Sequence, residues 1–209
     1  MIRISFENVG MGFGEKELFR SLSAEMRSGK ITVVAGRNGS GKSTFLRLAA
    51  HLVLPDSGRV DAAEDGVSLG KGALRSRLAM VAPEMRLYDR LTAEENFRFF
   101  SGLREKAFSS VEICAFWDRV GLPEQEIRDV LSGQLSTGMR QRVKIALLLA
   151  LDAPVWILDE PCANLDSDGA GRLMEEARRA ASKGTLVLWA TNESREEGIA
   201  DETVRLSGN

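Results

Sequence analysis

One stretch limits this chain more than any other: ITVVA at 31–35 runs directly into GRNGSGKST at 36–44 and then into FLRLAAHLV at 45–53. The first segment is short, apolar and rich in β-branched residues, the pattern of a strand buried on both faces. The last has apolar residues at helical spacing. The segment between fits G-x-x-x-x-G-K-S/T throughout, from Gly36 through Asn38, Gly39, Ser40, Gly41 and Lys42 to Ser43, with Thr44 following. The glycines let backbone N–H groups turn inward around phosphate oxygens. A helix that starts there adds its positive end. Lys42 is the cation for β- and γ-phosphates, and Ser43 offers a hydroxyl to Mg²⁺. A flexible Gly/Ser linker is the bland alternative, and the strand before and helix after argue against it.

A second strand–acid pair agrees. VWILDE at 155–160 is an apolar strand that ends in Asp159 and Glu160. Open α/β sheets bind ligands at the carboxyl ends of their strands. Asp159 there suits Mg²⁺, directly or through its water shell, and Glu160 suits the orientation and deprotonation of an attacking water. Taken alone, two acids after a strand are a solvated turn; beside a phosphate loop the chemical reading is stronger.

The rest of the chain orders itself around these two segments. IRISFENV and the region from Leu18 to Met26 alternate like strands. GMGFGEKEL between them carries Gly10, Gly12 and Gly14, but not at GxGxxG spacing, and reads as a turn. Phe13 at its tip is either a stray exposed aromatic or a stacking surface for a base. Leu54 to Gly58 breaks the helix that follows the phosphate loop. RLAMVA at 77–82 reads as a strand. LTAEENFRFF at 91–100 opens with a capping box, Thr92 and Glu95, and continues with apolar residues at Phe97, Phe100 and Leu103. VEICAFWDRVGLP is a second amphipathic helix, a third runs from Arg142 to Leu149, and TLVLWAT at 185–191 is the last strong strand. The order predicts an α/β fold: a P-loop NTPase core with a mostly parallel sheet, an N-terminal antiparallel β part and an inserted helical subdomain. The expected division of a single domain 1–209 is a core of 1–87 and 143–209 and a helical subdomain of 88–142.

Composition excludes several functions. The formal net charge of −2 leaves no basic excess for a nucleic-acid backbone. The two cysteines, Cys114 and Cys162, form no CxxC, and the one histidine, His51, gives no zinc set. The N-terminus lacks the apolar core of a leader, and the longest apolar run, IALLLAL at 145–151, stops at Asp152. The expectation is a cytoplasmic chain that reaches a membrane only through a partner. No heptads appear between Lys42 and Asp159 that would make a coiled-coil ATPase head.

Taken together these residues resemble the ATP-binding subunits of ABC transporters, over nearly the whole chain. GRNGSGKST is similar to the Walker A motif, VWILDE to Walker B with its catalytic glutamate, and Ala163-Asn164-Leu165-Asp166 to the D-loop. The family's signature, LSGGQ, has two candidates in LSGQLSTGMRQR at 131–142. In the family it is followed, after one residue, by Gln-Arg. Only LSTGM at 135–139 meets that, with Gln141 and Arg142 in place. LSGQ is then the loop leading in. The resemblance implies ATP and Mg²⁺ as ligands, Phe13 on the adenine, and Ser136, Thr137 and Gly138 on the γ-phosphate held by a second copy, with Asp166 beside them. It also implies a head-to-tail dimer, homomeric or with a paralogue, that powers separate transmembrane permease subunits at the inner face of the cell membrane. LYDRL and the Phe97–Phe100 face fall where the family docks those subunits. Within the family, the short length and LTAEENFRFF are most similar to the heme-exporter ATPase of cytochrome c maturation, or to two-component exporters.

Three departures bear on activity. Met139 replaces the signature glutamine. MVAPEMRLYDRLT, the Q-loop region, has no glutamine; Pro83 stands near its place and Glu84 is the remaining candidate for the metal shell. Asn192 stands where the family has a switch histidine. An amide can donate a hydrogen bond to a γ-phosphate but carries no proton or charge. The expected result is slower hydrolysis, with a low-turnover ATP-dependent dimerising switch as the alternative function.

Overall fold

The computed structural model describes residues 1–14 and 16–206. The alternating N-terminus forms β1 (Ile2–Phe13), which pairs antiparallel with β2 (Lys16–Arg27). β3 (Ile31–Ala35) leads into α1 (Lys42–Ala49), and β4 (Ser57–Glu64), β5 (Val67–Ser68), α2 (Lys71–Ser76) and β6 (Leu78–Val81) follow. Next come α3 (Ala93–Gly102), α4 (Ser110–Arg119), α5 (Glu124–Ile127), a 3₁₀ turn at Ser132–Gln134 and α6 (Thr137–Leu151). The chain closes with β7 (Val155–Asp159), α7 (Ser167–Ser182), β8 (Leu186–Thr191), α8 (Ser194–Glu197) and β9 (Glu202–Arg205).

Two compact units result. The first holds 1–80, 153–160 and 177–209 and contains both sheets; the second holds 81–152 and 161–176. In the first, one sheet runs β2-β1-β4-β5 and the other β6-β7-β8-β3-β9. β3 lies parallel to β8 on one side and to β9 on the other, and β7 lies parallel to β8. Every residue of β3, β7 and β8 is buried, which is why these three read as mostly apolar runs in the sequence. The apolar core joins Ile4, Phe6 and Met26 of the antiparallel sheet to Phe45 and Leu48 of α1 and to Ile157 and Leu188. Phe6 and Phe45 stack with ring centroids 4.3 Å apart.

In the second unit, α3 and α4 both start with complete capping boxes, Thr92 with Glu95 and Ser109 with Glu112. Phe97 is fully buried and packs against Phe108, Phe116 and Trp117. The expected apolar face of α3 is therefore split. Phe97 belongs to the core, Phe100 is half-buried and Leu103 is exposed, as is Phe99, which Tyr88 meets edge-on at 5.0 Å.

Several sequence expectations shift. Gly10 and Gly12 lie inside β1, not in a turn; the strand continues to Phe13 because the ladder with β2 carries on to Phe13↔Lys16. The helix after the phosphate loop ends at Ala49, so His51 is not on it but past its end, at φ 52°. β4 carries no strong apolar alternation because only Ala62 of its residues is buried; it exists because β1 offers it a backbone edge from Ile2↔Glu64 to Gly10↔Ser57. The second unit is wider than 88–142, taking in 81–87, 143–152 and 161–176 as well.

Candidate active site

The carboxyl end of β3 opens into the phosphate loop. Gly41 at the start of α1 has φ 97°, and a Cβ there would meet the Phe19 ring at 2.9 Å, so only glycine fits this start. No side chain caps α1. Its first N–H groups therefore have no partner from a capping residue, the arrangement that suits an anion. Lys42, 5% exposed, turns its ammonium back into the loop, donating to the carbonyls of Gly36 at 3.0 Å and Arg37 at 3.3 Å. The buried Ser40 Oγ has no hydrogen-bond partner among the described residues. A cleft of ≈ 420 Å³ lies over this start. Phe13, Asn38, Gly39, Gly41, Lys42, Ser43, Thr44 and Glu160 line it, and so do two residues the sequence did not single out, Lys16 and Leu18. Lys16 Nζ donates to the Gly39 carbonyl at 3.0 Å. No motif marks Lys16; it arrives through the β1–β2 hairpin, whose tip also exposes Phe13.

β7 delivers the acid pair. Asp159 is buried at the strand end. Glu160 follows at φ 47°, in the left-handed region that a residue with a Cβ rarely adopts. Its N–H still donates to the Ala190 carbonyl at 2.9 Å, so the sheet holds the backbone in that conformation. Strain of this kind, about 1–3 kcal/mol, collects where a side chain must be aimed. Glu160 Oε1 lies 3.8 Å from Lys42 Nζ. A carboxylate and an ammonium thus face each other at a cleft built for anions. The chemistry of the donors, the Ser43 hydroxyl and the Asp159 carboxylate, is that of a hard cation such as Mg²⁺.

Asn192 follows β8 directly and is exposed, and its Nδ2 donates to Asn38 Oδ1 at 2.8 Å. The corner that carries it is anchored by Glu196, whose buried carboxylate accepts a hydrogen bond from Trp189 Nε1 at 2.7 Å. Burial pushes the Glu196 carboxyl above its usual range, against the hydrogen bonds from Trp189 and Thr191.

The second unit carries the remaining motif residues. Ser136 is the N-cap of α6, and its Oγ accepts from Met139 N at 3.1 Å. Thr137 opens the helix. Gly138 packs against the Asn164 carbonyl, which a Cβ would approach to 2.8 Å, so this position admits no side chain without displacement. Gln141 Nε2 donates to the Pro161 carbonyl at 2.8 Å, and Arg142 Nη2 to Asp166 Oδ1 at 2.7 Å. The two residues that identified the signature by spacing therefore tie its helix to the segment after the acid pair. The Asp166 carboxylate also accepts from Gly169 N at 2.8 Å, capping α7. Glu84 stands exposed in a turn with Pro83. LSGQ at 131–134 is the 3₁₀ turn that precedes the α6 cap.

The chain is similar to known proteins along most of its length. A family model described as ABC transporter matches residues 19–163, more than half of the chain. The cytochrome c biogenesis ATP-binding export protein CcmA of Haemophilus influenzae is 30% identical over 191 residues, 91% of this chain and 89% of that protein. A probable anion import ATP-binding protein of Haloferax volcanii is 32% identical over 229 residues, 99% of this chain and 77% of that protein. Among solved structures, the dimeric bacterial ABC transporter cassette MJ0796 superposes with a TM-score of 0.83 at 25% identity, covering 97% of this chain and 94% of that one. Phosphate loop, acid pair and signature helix thus stand in a chain similar to such proteins along almost its whole length, and the chain belongs to the ABC transporter family as an ATP-binding, ATP-hydrolysing subunit.

Proposed function

We propose that the cleft at the β3–α1 corner binds Mg-ATP and hydrolyses it, and that hydrolysis powers transport through separate membrane subunits. The observation that carries this is the Lys42–Glu160 pair, 3.8 Å apart at the mouth of a phosphate loop. Lys42 and the N–H groups at the start of α1 hold the β- and γ-phosphates, and Phe13, exposed at the hairpin tip, stacks on the base. Ser43 and Asp159 would hold Mg²⁺, which would supply charge neutralisation on the phosphates. Water attacks the γ-phosphorus in line, the bond to the β–γ bridging oxygen breaks, and the Glu160 carboxylate takes the proton of the water. Ser136, Thr137 and Gly138 of a second copy, with its Asp166, close the site, so that each nucleotide lies between two chains.

No helix among the described residues is long and apolar enough to cross a membrane. The membrane part is therefore assigned to partner chains, with this subunit on the cytoplasmic side of the membrane. The exposed face of Tyr88, Phe99 and Leu103 is the surface for that contact. The similar proteins include an export protein and a probable anion import protein, so transport is proposed without a direction. The whole chain is read as a single ATP-binding domain with the second unit as its helical subdomain.

One observation favours a slower variant of the same function, an ATP-gated dimer switch. Asn192, at the switch position, is engaged with Asn38 and offers no titratable group. Phosphate release from Mg-ATP across protein concentration, beside Glu160→Gln, separates the two. Release that climbs faster than linearly and vanishes in the variant supports a turning-over dimer. Zero release with ATP bound supports the switch.

A further inference from the structure

The phosphate loop is tied down at successive residues. Lys42 holds the carbonyls of Gly36 and Arg37 from inside. Ser40 N donates to the Arg37 carbonyl at 3.1 Å. Lys16 holds the Gly39 carbonyl from the hairpin. Asn38 is held through its side chain, by Asn192. The sheet register explains why these two meet. Ala35 at the end of β3 pairs with Thr191 at the end of β8, so the first residues beyond both strands leave the sheet side by side. The β8 side is the firm one. All six residues of β8 are buried, Glu193 N donates to Thr191 Oγ1 at 3.0 Å, and the Trp189–Glu196 bond pins α8 beneath the corner. Asn192 is neutral and adds no charge to a phosphate. What it adds is a fixed donor at the outer edge of the loop.

We propose that Asn192 is a positioning residue that acts through Asn38: it presets the phosphate loop for the part of the nucleotide that ADP and ATP share. This rests on the reading of the cleft as a nucleotide site and deepens it, because Asn192 works on the cradle and not on the γ-phosphate. It follows that its loss weakens both nucleotides alike.

The test is equilibrium binding of Mg-ADP and of Mg-ATP to the full chain, with ATP kept intact by a Glu160→Gln background. Asn192→Leu keeps the shape of the side chain and removes the donor, and Asn192→Gln keeps the donor. Both asparagines are exposed, so these changes leave the core intact. Asn192→Leu is expected to weaken ADP and ATP by the same factor, roughly threefold, the scale of one exposed hydrogen bond. Asn38→Ala is expected to match it, the double variant to be no worse than either, and Asn192→Gln to recover the affinity. A loss confined to ATP, losses that multiply in the double variant, or no loss at all would each overturn the proposal. A wild-type chain that binds neither nucleotide overturns the function itself, and the clasp with it.

Discussion

Two helix starts in this chain are read as phosphate contacts, one for its own nucleotide and one for that of a second copy, and they are built in opposite ways. α1 begins at Gly41 in a left-handed conformation, with no side-chain cap and a lysine folded back beneath it. α6 begins at Ser136 in an extended conformation and caps itself, Ser136 Oγ on Met139 N. The first start is shaped to be completed by something outside the chain. The second is complete as it stands, and its glycine serves close packing against Asn164. An anion site that binds tightly needs open donors and a cation. One that adds its contacts when a second chain arrives needs a stable helix end presenting small residues.

The largest effect that would sharpen this contrast is on chemistry. Glu160→Gln removes the carboxylate proposed to take the proton of the water and keeps its shape. Phosphate release is expected to fall by about a hundredfold or more, with ATP binding retained. Loss of binding in place of loss of turnover would move Glu160 from the reaction to the cradle.

Next is Gly41→Ala. At φ 97°, and with the Phe19 ring in the way, the new Cβ is expected to cost about 1–3 kcal/mol in thermal or urea unfolding and to lower nucleotide affinity with it. An unchanged melting temperature would mean that the α1 start relaxes easily, and the contrast with α6 would weaken. Ser136→Ala at the other start is expected to cost about 1 kcal/mol of stability, the usual value of an N-cap, and to leave ADP affinity unchanged in the separate chain. A fall in ADP affinity there would join two sites that the contrast keeps apart.

The smallest effect lies at the far end of α1. Burial, helped by Lys71, holds the His51 imidazole below its ordinary value of 6.5. Its folded-state pKa is therefore lower than its unfolded one, so the unfolded chain takes up the proton first. Stability is lost as pH falls through 6.5 toward the folded value. His51→Asn, which tolerates the positive φ, is expected to flatten the slope of stability with pH between 7 and 5.5. A slope that survives the substitution would assign it to other groups.

Much of this was legible before the structure. The strand–loop–helix at 31–53 and the apolar run before Asp159 carry their own signals, because strands buried on both faces have to be apolar throughout. The Thr92 capping box was legible for the same kind of reason: the bonds that define it span three residues. Lys16 was not legible, since a lysine in a hairpin has no pattern of its own. Nor was β4, which buries only Ala62 and is specified by the edge of β1. Phe97 and Phe99 differ by two positions, yet one is core and the other surface, and only the packing of α3 on α4 separates them.

The sequence by itself determined the candidates for the proposed chemistry: a lysine, a hydroxyl, two carboxylates and the glycines that let a backbone wrap an anion. These are set by residue type and by spacings of a few residues, and local geometry follows from them. The tertiary structure alone decided how distant segments meet. It brought Asn192 to Asn38 through the register of β8 on β3, and it aimed Glu160 at Lys42 through a backbone angle that only the surrounding sheet can hold. Contacts across more than a hundred residues depend on how strands align, and no local pattern encodes that alignment.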